Sequence, residues 1–162
     1  MRTMKRRKVL LVAPLWPLLT TFPSVSTMAA GPELPTSKSL QNDISTALKT
    51  SKPLIVLVSL DNCPFCKIAR ENYLLPLMRE QSLAVVQVNL GHSTSIVDPL
   101  GKRTTQSDLV KAWAIKATPT VMFLGKNGQE VAPRLVGGST SDFYGAYLQD
   151  RVDQAIKMMQ SN

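Results

Sequence analysis

Leu54-Ile55-Val56-Leu57-Val58 is an unbroken apolar, partly β-branched run, the pattern of a central strand buried on both faces. Leu40 to Leu48 reads as a helix ahead of it, with Ser37 or Ser39 as its cap. After the strand, a short turn from Ser59 to Asn62 leads into a helical stretch that runs to about Arg79. Ala69, Tyr73 and Leu77 lie four apart on one side of it, and Pro76 is expected to kink or end it. Leu83 to Val88 is a second buried strand, and Ser107 to Ala114 a short helix with Ser107 as its cap. Thr120 to Leu124 is a third strand, and Lys126-Asn127-Gly128 contains the Asn-Gly of a hairpin turn. Glu130 to Val136 returns as a fourth strand, where Pro133 demands an edge position. Gly137-Gly138 breaks the chain. A long helix from Thr140 to Met159 follows, with Phe143, Tyr147, Val152 and Ile156 expected on its core side. Gly91 to Thr104 is expected to be one long irregular connection. Strands alternating with helices make this an α/β chain.

The chain has 162 residues, enough for one domain of ordinary size. Its formal net charge of +8 suggests nucleic acid or membrane, but the position of the charge argues otherwise. Arg2, Lys5, Arg6, Arg7 and Lys8 precede an apolar stretch from Val9 to Leu19, and residues 1–30 contain no acid. From Gly31 onward, 14 basic residues face 11 acidic ones, a formal +3. The basic start, the apolar stretch and Ala29-Ala30 have the three parts of a secretory signal. The apolar stretch is about half the ~20 residues a spanning helix needs, and Pro14 and Pro17 interrupt it. Residues 1–30 are therefore expected to be a signal peptide cleaved near Ala30, and residues 31–162 a single exported domain. No nucleic-acid partner is expected.

Cys63 and Cys66 are the only cysteines. As a staple they would close a four-residue ring worth only about 2 kcal/mol, less than longer loops give. Two thiols and the single histidine do not complete a structural zinc site, which takes four ligands. A redox pair fits them better. Pro64 suits a first helical position, since its missing N–H would have no partner there, so Cys63 falls at a helix N-terminus. Unpaired backbone N–H groups and the positive end of the dipole favour a thiolate at that point. Cys66 lies one turn further in, a shielded partner placed to resolve the mixed disulfides that Cys63 forms.

A strand, then Cys63-Pro64-Phe65-Cys66 opening a helix, then Ala117-Thr118-Pro119-Thr120 opening a later strand, resembles the thioredoxin family. The resemblance spans roughly Leu40 to Met159. It is closest to exported thioredoxin-like proteins of sulfur-oxidation and disulfide-exchange systems. It implies a single thioredoxin-like domain with a central mixed sheet of about four strands flanked by helices. It also implies a thiol–disulfide oxidoreductase in which Cys63 and Cys66 are catalytic, with Pro64 and Phe65 completing the motif. In that family the proline before the later strand is cis and faces the cysteines. Pro119, with Thr118 just before it, is thus expected to dock the substrate chain.

Departures from the family pattern are equally plain. Asn62 stands where thioredoxins carry a tryptophan, and Leu57 stands where they bury an acid. The proton of Cys66 is then left to water, Lys67 or Glu71. Pro64-Phe65 is closer to the Pro-aromatic pair of glutaredoxins than to the Gly-Pro of thioredoxins. No cofactor or resident metal is expected. The competing readings are a disulfide oxidase or isomerase-type role, in place of the expected reductase of protein disulfides, and a copper carrier using both thiolates and His92, since soft thiolates select Cu(I). Copper carriers of this fold usually separate their cysteines by three residues, and the two here favour disulfide exchange. The expected partners are a protein disulfide or dithiol and a membrane thiol-electron transporter, with the chain acting as a monomer. Trp113, Phe123 and Tyr144 are placed in packing, and Lys102 and Arg103 in a solvated loop.

Overall fold

The computed structural model describes residues 33–138 and 143–161, so the expected signal peptide and its cleavage point lie outside the described residues. Among the described residues, four strands form one mixed sheet in the order β2-β1-β5-β6. They are β1 (Leu54–Ser59), β2 (Ala84–Asn89), β5 (Thr120–Leu124) and β6 (Glu130–Val136). β1 runs parallel to β2 and antiparallel to β5, and β6 is antiparallel to β5 at the edge, where Pro133 leaves no central ladder bond unmade.

Every residue of β1 is buried, because its side chains alternate between two packed faces. Ile55 and Leu57 join Val85, Val121 and Phe123 on one face. This face packs against the helical run after the cysteines and against α5 (Tyr144–Gln160). Leu54, Val56 and Val58 join Val86, Val88, Met122 and Leu124 on the other, beneath α1 (Leu40–Leu48) and α4 (Gln106–Ala112). Strand β2 is not left bare. Pro35 and Ser37 pair with Gln87 through backbone bonds of 2.8 and 2.9 Å, which covers that edge of the sheet.

Four expectations need correction. The helical run does not end at Pro76. It passes from α2 (Pro64–Ile68) through a π-helical segment, Ala69–Leu74, into α3 (Leu75–Glu80). The Leu75 N–H reaches back five residues to the Arg70 carbonyl, and Pro76 then sits in the first turn of α3, where a missing N–H costs least. The cap of α4 is Thr105, not Ser107. Thr105 Oγ1 accepts from the Asp108 N–H at 3.1 Å and donates to the Asp108 carboxylate at 2.8 Å. That hydroxyl and the adjacent Lys111 hold the Asp108 carboxyl below its ordinary range. The connection after Gly91 contains a small antiparallel ribbon, β3 (Ser95–Val97) with β4 (Arg103–Thr105), so Arg103 lies in a strand. Asp98 closes its turn by accepting from the backbone N–H groups of Leu100 and Lys102, each at 2.9 Å.

The fourth correction concerns α5. Its core stripe is Tyr144, Leu148, Val152 and Ala155, with Ile156 beside it, whereas Phe143 and Tyr147 are 66% and 54% exposed. The expected start at Thr140 lies outside the described residues. Tyr144 packs its ring 4.9 Å from that of Tyr73, and its buried hydroxyl has no hydrogen-bond partner among the described residues. Burial, and then the neighbouring Tyr73, push the Tyr144 phenol up to about 12 from its ordinary 10.0. A phenol held protonated in the folded state but free to ionise in the unfolded chain costs stability only at alkaline pH. Urea unfolding should therefore show stability intact below pH 10 and falling by roughly 2 kcal/mol as pH rises to about 12. Tyr144→Phe should remove that Tyr144 component of the decline and leave stability at pH 7 unchanged or raised by up to about 1 kcal/mol. A loss of more than about 1 kcal/mol at pH 7 would mean that the hydroxyl is satisfied after all.

Candidate functional site

The site is built where β1 ends. Asn62 takes a left-handed backbone (φ 55°), which an asparagine tolerates, and turns the chain so that Cys63 caps α2 in an extended conformation. Pro64 follows at the start of the helix, as its fixed φ prefers. Cys63 and Cys66 form a disulfide with Cα atoms 5.2 Å apart. The two sulfurs are not equivalent. Cys63 is half-buried, while Cys66 is fully buried. The backbone N–H of Cys66 points at Cys63 Sγ, 3.1 Å away, and favours negative charge there once the bond opens.

On the far side of the sulfurs, Thr118–Pro119 is a cis peptide leading into β5, which pairs directly with β1. Thr118 Oγ1 lies 3.9 Å from Cys63 Sγ, within the long reach of a hydroxyl donating to sulfur. The Pro119 carbonyl accepts from the Gly137 N–H at 2.7 Å, which ties the end of β6 to this loop. At the adjoining Gly138, a Cβ would stand 2.6 Å from the Phe65 Cβ and 3.3 Å from the Pro119 Cδ. Phe65 of the motif, Pro119 and Gly138 therefore meet at one point beside the disulfide. All the residues named for the site from the sequence are thus brought together, except His92. Its Nε2 is 2.8 Å from the Asp61 carboxylate on the exposed turn. Among the described residues no three His, Cys, Asp or Glu side chains converge on a metal position.

The family model of the thioredoxin-like domain matches residues 40–151. The chain belongs to that family. Solved structures of similar fold include oxidized thioredoxin O2 from Arabidopsis thaliana, 18% identical over 74% of this chain and 91% of that one, with a TM-score of 0.51. Trxlp from Edwardsiella tarda EIB202 is 27% identical over 73% and 95%, with a TM-score of 0.48. Mitochondrial thioredoxin 3 from Saccharomyces cerevisiae is 18% identical over 74% and 93%, with a TM-score of 0.49. No curated protein matches the chain.

With a Cys-x-x-Cys disulfide in this fold, the thioredoxin-like domain is a thiol–disulfide oxidoreductase. Sequence reasoning missed the wall behind Cys63. A cleft of about 680 Å³ opens there, lined by Ser59, Asp61, Asn62, Cys63, Lys67, Arg70 and Gln87 among others. Arg70 Nη1 donates to Gln87 Oε1 at 3.1 Å, and Gln87 Nε2 donates to Asn89 Oδ1 at 2.6 Å. The Asn89 backbone N–H in turn donates to Gln106 Oε1 at 2.6 Å. The signal was available. Gln87 and Asn89 interrupt an otherwise apolar strand, and buried amides of that kind are placed only where partners exist. Leu57, at the position where thioredoxins carry an acid, is fully buried in the apolar face. Of the side chains suggested as proton acceptors for Cys66, Lys67 lines the cleft; Glu71 is exposed on the π-helical segment.

Proposed function

We propose that the protein is an exported, periplasmic reductase of protein disulfides that passes two electrons through Cys63 and Cys66. The observation that carries this reading is the asymmetry of the pair: one sulfur half-buried at a helix start, the other fully enclosed. Such a pair suits attack by Cys63 and resolution by Cys66. Thr118 and Pro119 lie where an extended substrate segment would run past Cys63, with the Thr118 backbone as its pairing edge. The reductant supplied to the oxidised form is a membrane thiol-electron transporter, because an oxidising compartment holds no soluble reducing pool of its own. The basic start, apolar stretch and Ala29-Ala30 of residues 1–30 support the location.

Two measurements test this. Equilibration in dithiothreitol buffers is expected to give a reduction potential nearer the roughly −270 mV of reductants than the roughly −120 mV of strong oxidants. A value at the oxidising end reverses the direction proposed. Residues 1–30 fused to an alkaline phosphatase lacking its own signal should yield enzyme active outside the cytoplasm, and a cytoplasmic fusion would remove the location.

A further inference from the structure

The cleft behind Cys63 carries two cationic side chains on the side away from Thr118 and Pro119. Lys67 and Arg70 both line it, one and two helical turns past Cys63. Among the described residues neither has a carboxylate within ion-pair distance. Arg70 is held in place, since Gln87 receives one of its N–H groups and is itself pinned by Asn89 on the buried strand. A guanidinium has five donors, and one suffices for Gln87. The acid lining the same cleft, Asp61, is engaged by His92 at 2.8 Å. A volume of about 680 Å³ falls within the range of small-molecule sites.

We infer that this cleft binds a low-molecular-weight disulfide bearing an anionic group, a carboxylate or sulfonate, and presents its sulfur to Cys63. The inference rests on the oxidoreductase reading and names a second substrate class for the same sulfurs. Arg70 and Lys67 hold the anionic group, the guanidinium as a planar fork and the ammonium as a point charge. The Cys63 thiolate attacks one sulfur of RSSR, forming the Cys63–S–S–R mixed disulfide and releasing RS⁻. Cys66, its proton lost to solvent, then attacks Cys63 Sγ, closes the Cys63–Cys66 bond and releases the second RS⁻. Two cysteine thiols are oxidised, RSSR is reduced to two RSH, and the two protons given up by the cysteines end on those thiols.

The test is the rate at which fully reduced protein reduces three small disulfides. These are 3,3′-dithiodipropionate (anionic), hydroxyethyl disulfide (neutral) and cystamine (cationic). Each rate is divided by that of the same disulfide with free dithiothreitol, which removes differences in leaving-group chemistry. Wild type is expected to prefer the anionic over the cationic disulfide by about tenfold. Lys67→Gln and Arg70→Gln should each cut the ratio, and the pair should bring it below about threefold. Arg70→Lys, which keeps the charge but not the fork, should fall between wild type and Arg70→Gln. Lys67 is exposed, so Lys67→Gln reports on the site even if substitution of Arg70 disturbs the fold.

Lys126 is the control for overall charge. It lies past the end of β5, at the opposite end of the sheet from Cys63. A ratio near one in wild type, or one that falls as much in Lys126→Gln as in Lys67→Gln, overturns the proposal. Wild-type protein that reduces insulin disulfides yet shows no charge preference removes the cleft site alone. Protein that reduces neither insulin nor any small disulfide removes the oxidoreductase reading on which it rests.

Discussion

Cys63→Ser is expected to abolish protein-disulfide exchange, by at least about a thousandfold in insulin reduction, because the attacking sulfur is gone. Cys66→Ser is expected to stop turnover just as completely but for a different reason. In that variant Cys63 keeps its half-open position and the backbone N–H at residue 66 that points at it. Attack still occurs, and the mixed disulfide persists because no second thiol stands one turn away to displace the substrate. The two variants therefore separate on trapping. Cys66→Ser produced in its native host should collect covalent partners that are released by reductant, and Cys63→Ser should collect none. Nearly every collision that reaches the sulfurs must meet Cys63, since Cys66 is enclosed on all sides. Equal trapping by both variants would mean that the helix opens enough to expose Cys66, and the assignment of roles would fail.

The parts of this fold that were legible in the sequence are those where one physical demand dominates. β1 could be read because five consecutive apolar residues have to be buried on both faces, and the cysteines because a four-residue ring serves chemistry better than stability. The edge position of β6 followed from one missing N–H at Pro133. What escaped was decided by competition between similar candidates. Thr105 and Ser107 are both plausible caps two residues apart, and the choice went to Thr105 because Asp108 three residues on can return the bond. Phe143 and Tyr147 share helical spacing with a true core stripe, but the face that meets β5 and β6 runs one position later, through Tyr144 and Leu148. The ribbon β3–β4 has three residues per strand and mixed polarity, too little pattern for period-2 alternation to show. The π segment before Pro76 has no sequence signature at all beyond the proline it accommodates. For the site, the sulfurs and Pro119 were visible, and the Arg70–Gln87–Asn89 chain was not, because Arg70 lies 17 residues before Gln87 and meets the two amides of β2 only once the helical run after β1 folds back beside that strand.

Gly138→Val is expected to reduce insulin reduction by at least about tenfold while Cys63 of the reduced protein reacts with a small alkylating agent within about threefold of wild type. The argument is one of space. The backbone of Gly138 approaches the motif so closely that even a single Cβ would stand 2.6 Å from the Phe65 Cβ, a separation real carbon atoms do not adopt. Two walls of the site meet at that point, Phe65 from the first turn of α2 and Pro119 from just before β5. The Phe65 Cβ is fixed to the backbone of α2 and cannot swing aside, so a valine there has to move the Gly138 backbone away from Phe65 and Pro119, and that alters the surface that a protein chain must touch to bring its sulfur in line with Cys63. A small alkylating agent makes no such contact and needs only the thiolate. The distinction matters because Gly138 keeps an ordinary backbone angle, unlike Gly137 with its φ of 84°, so the effect would come from contact rather than from a strained turn. Circular dichroism of the variant should match wild type, since Gly138 lies past the end of β6 and its shift leaves the strands and helices in place. A Gly138→Val protein that reduces insulin at the wild-type rate would show that partners dock without touching the Phe65–Pro119 wall, and the substrate path would then have to run along the Lys67 side of Cys63 instead.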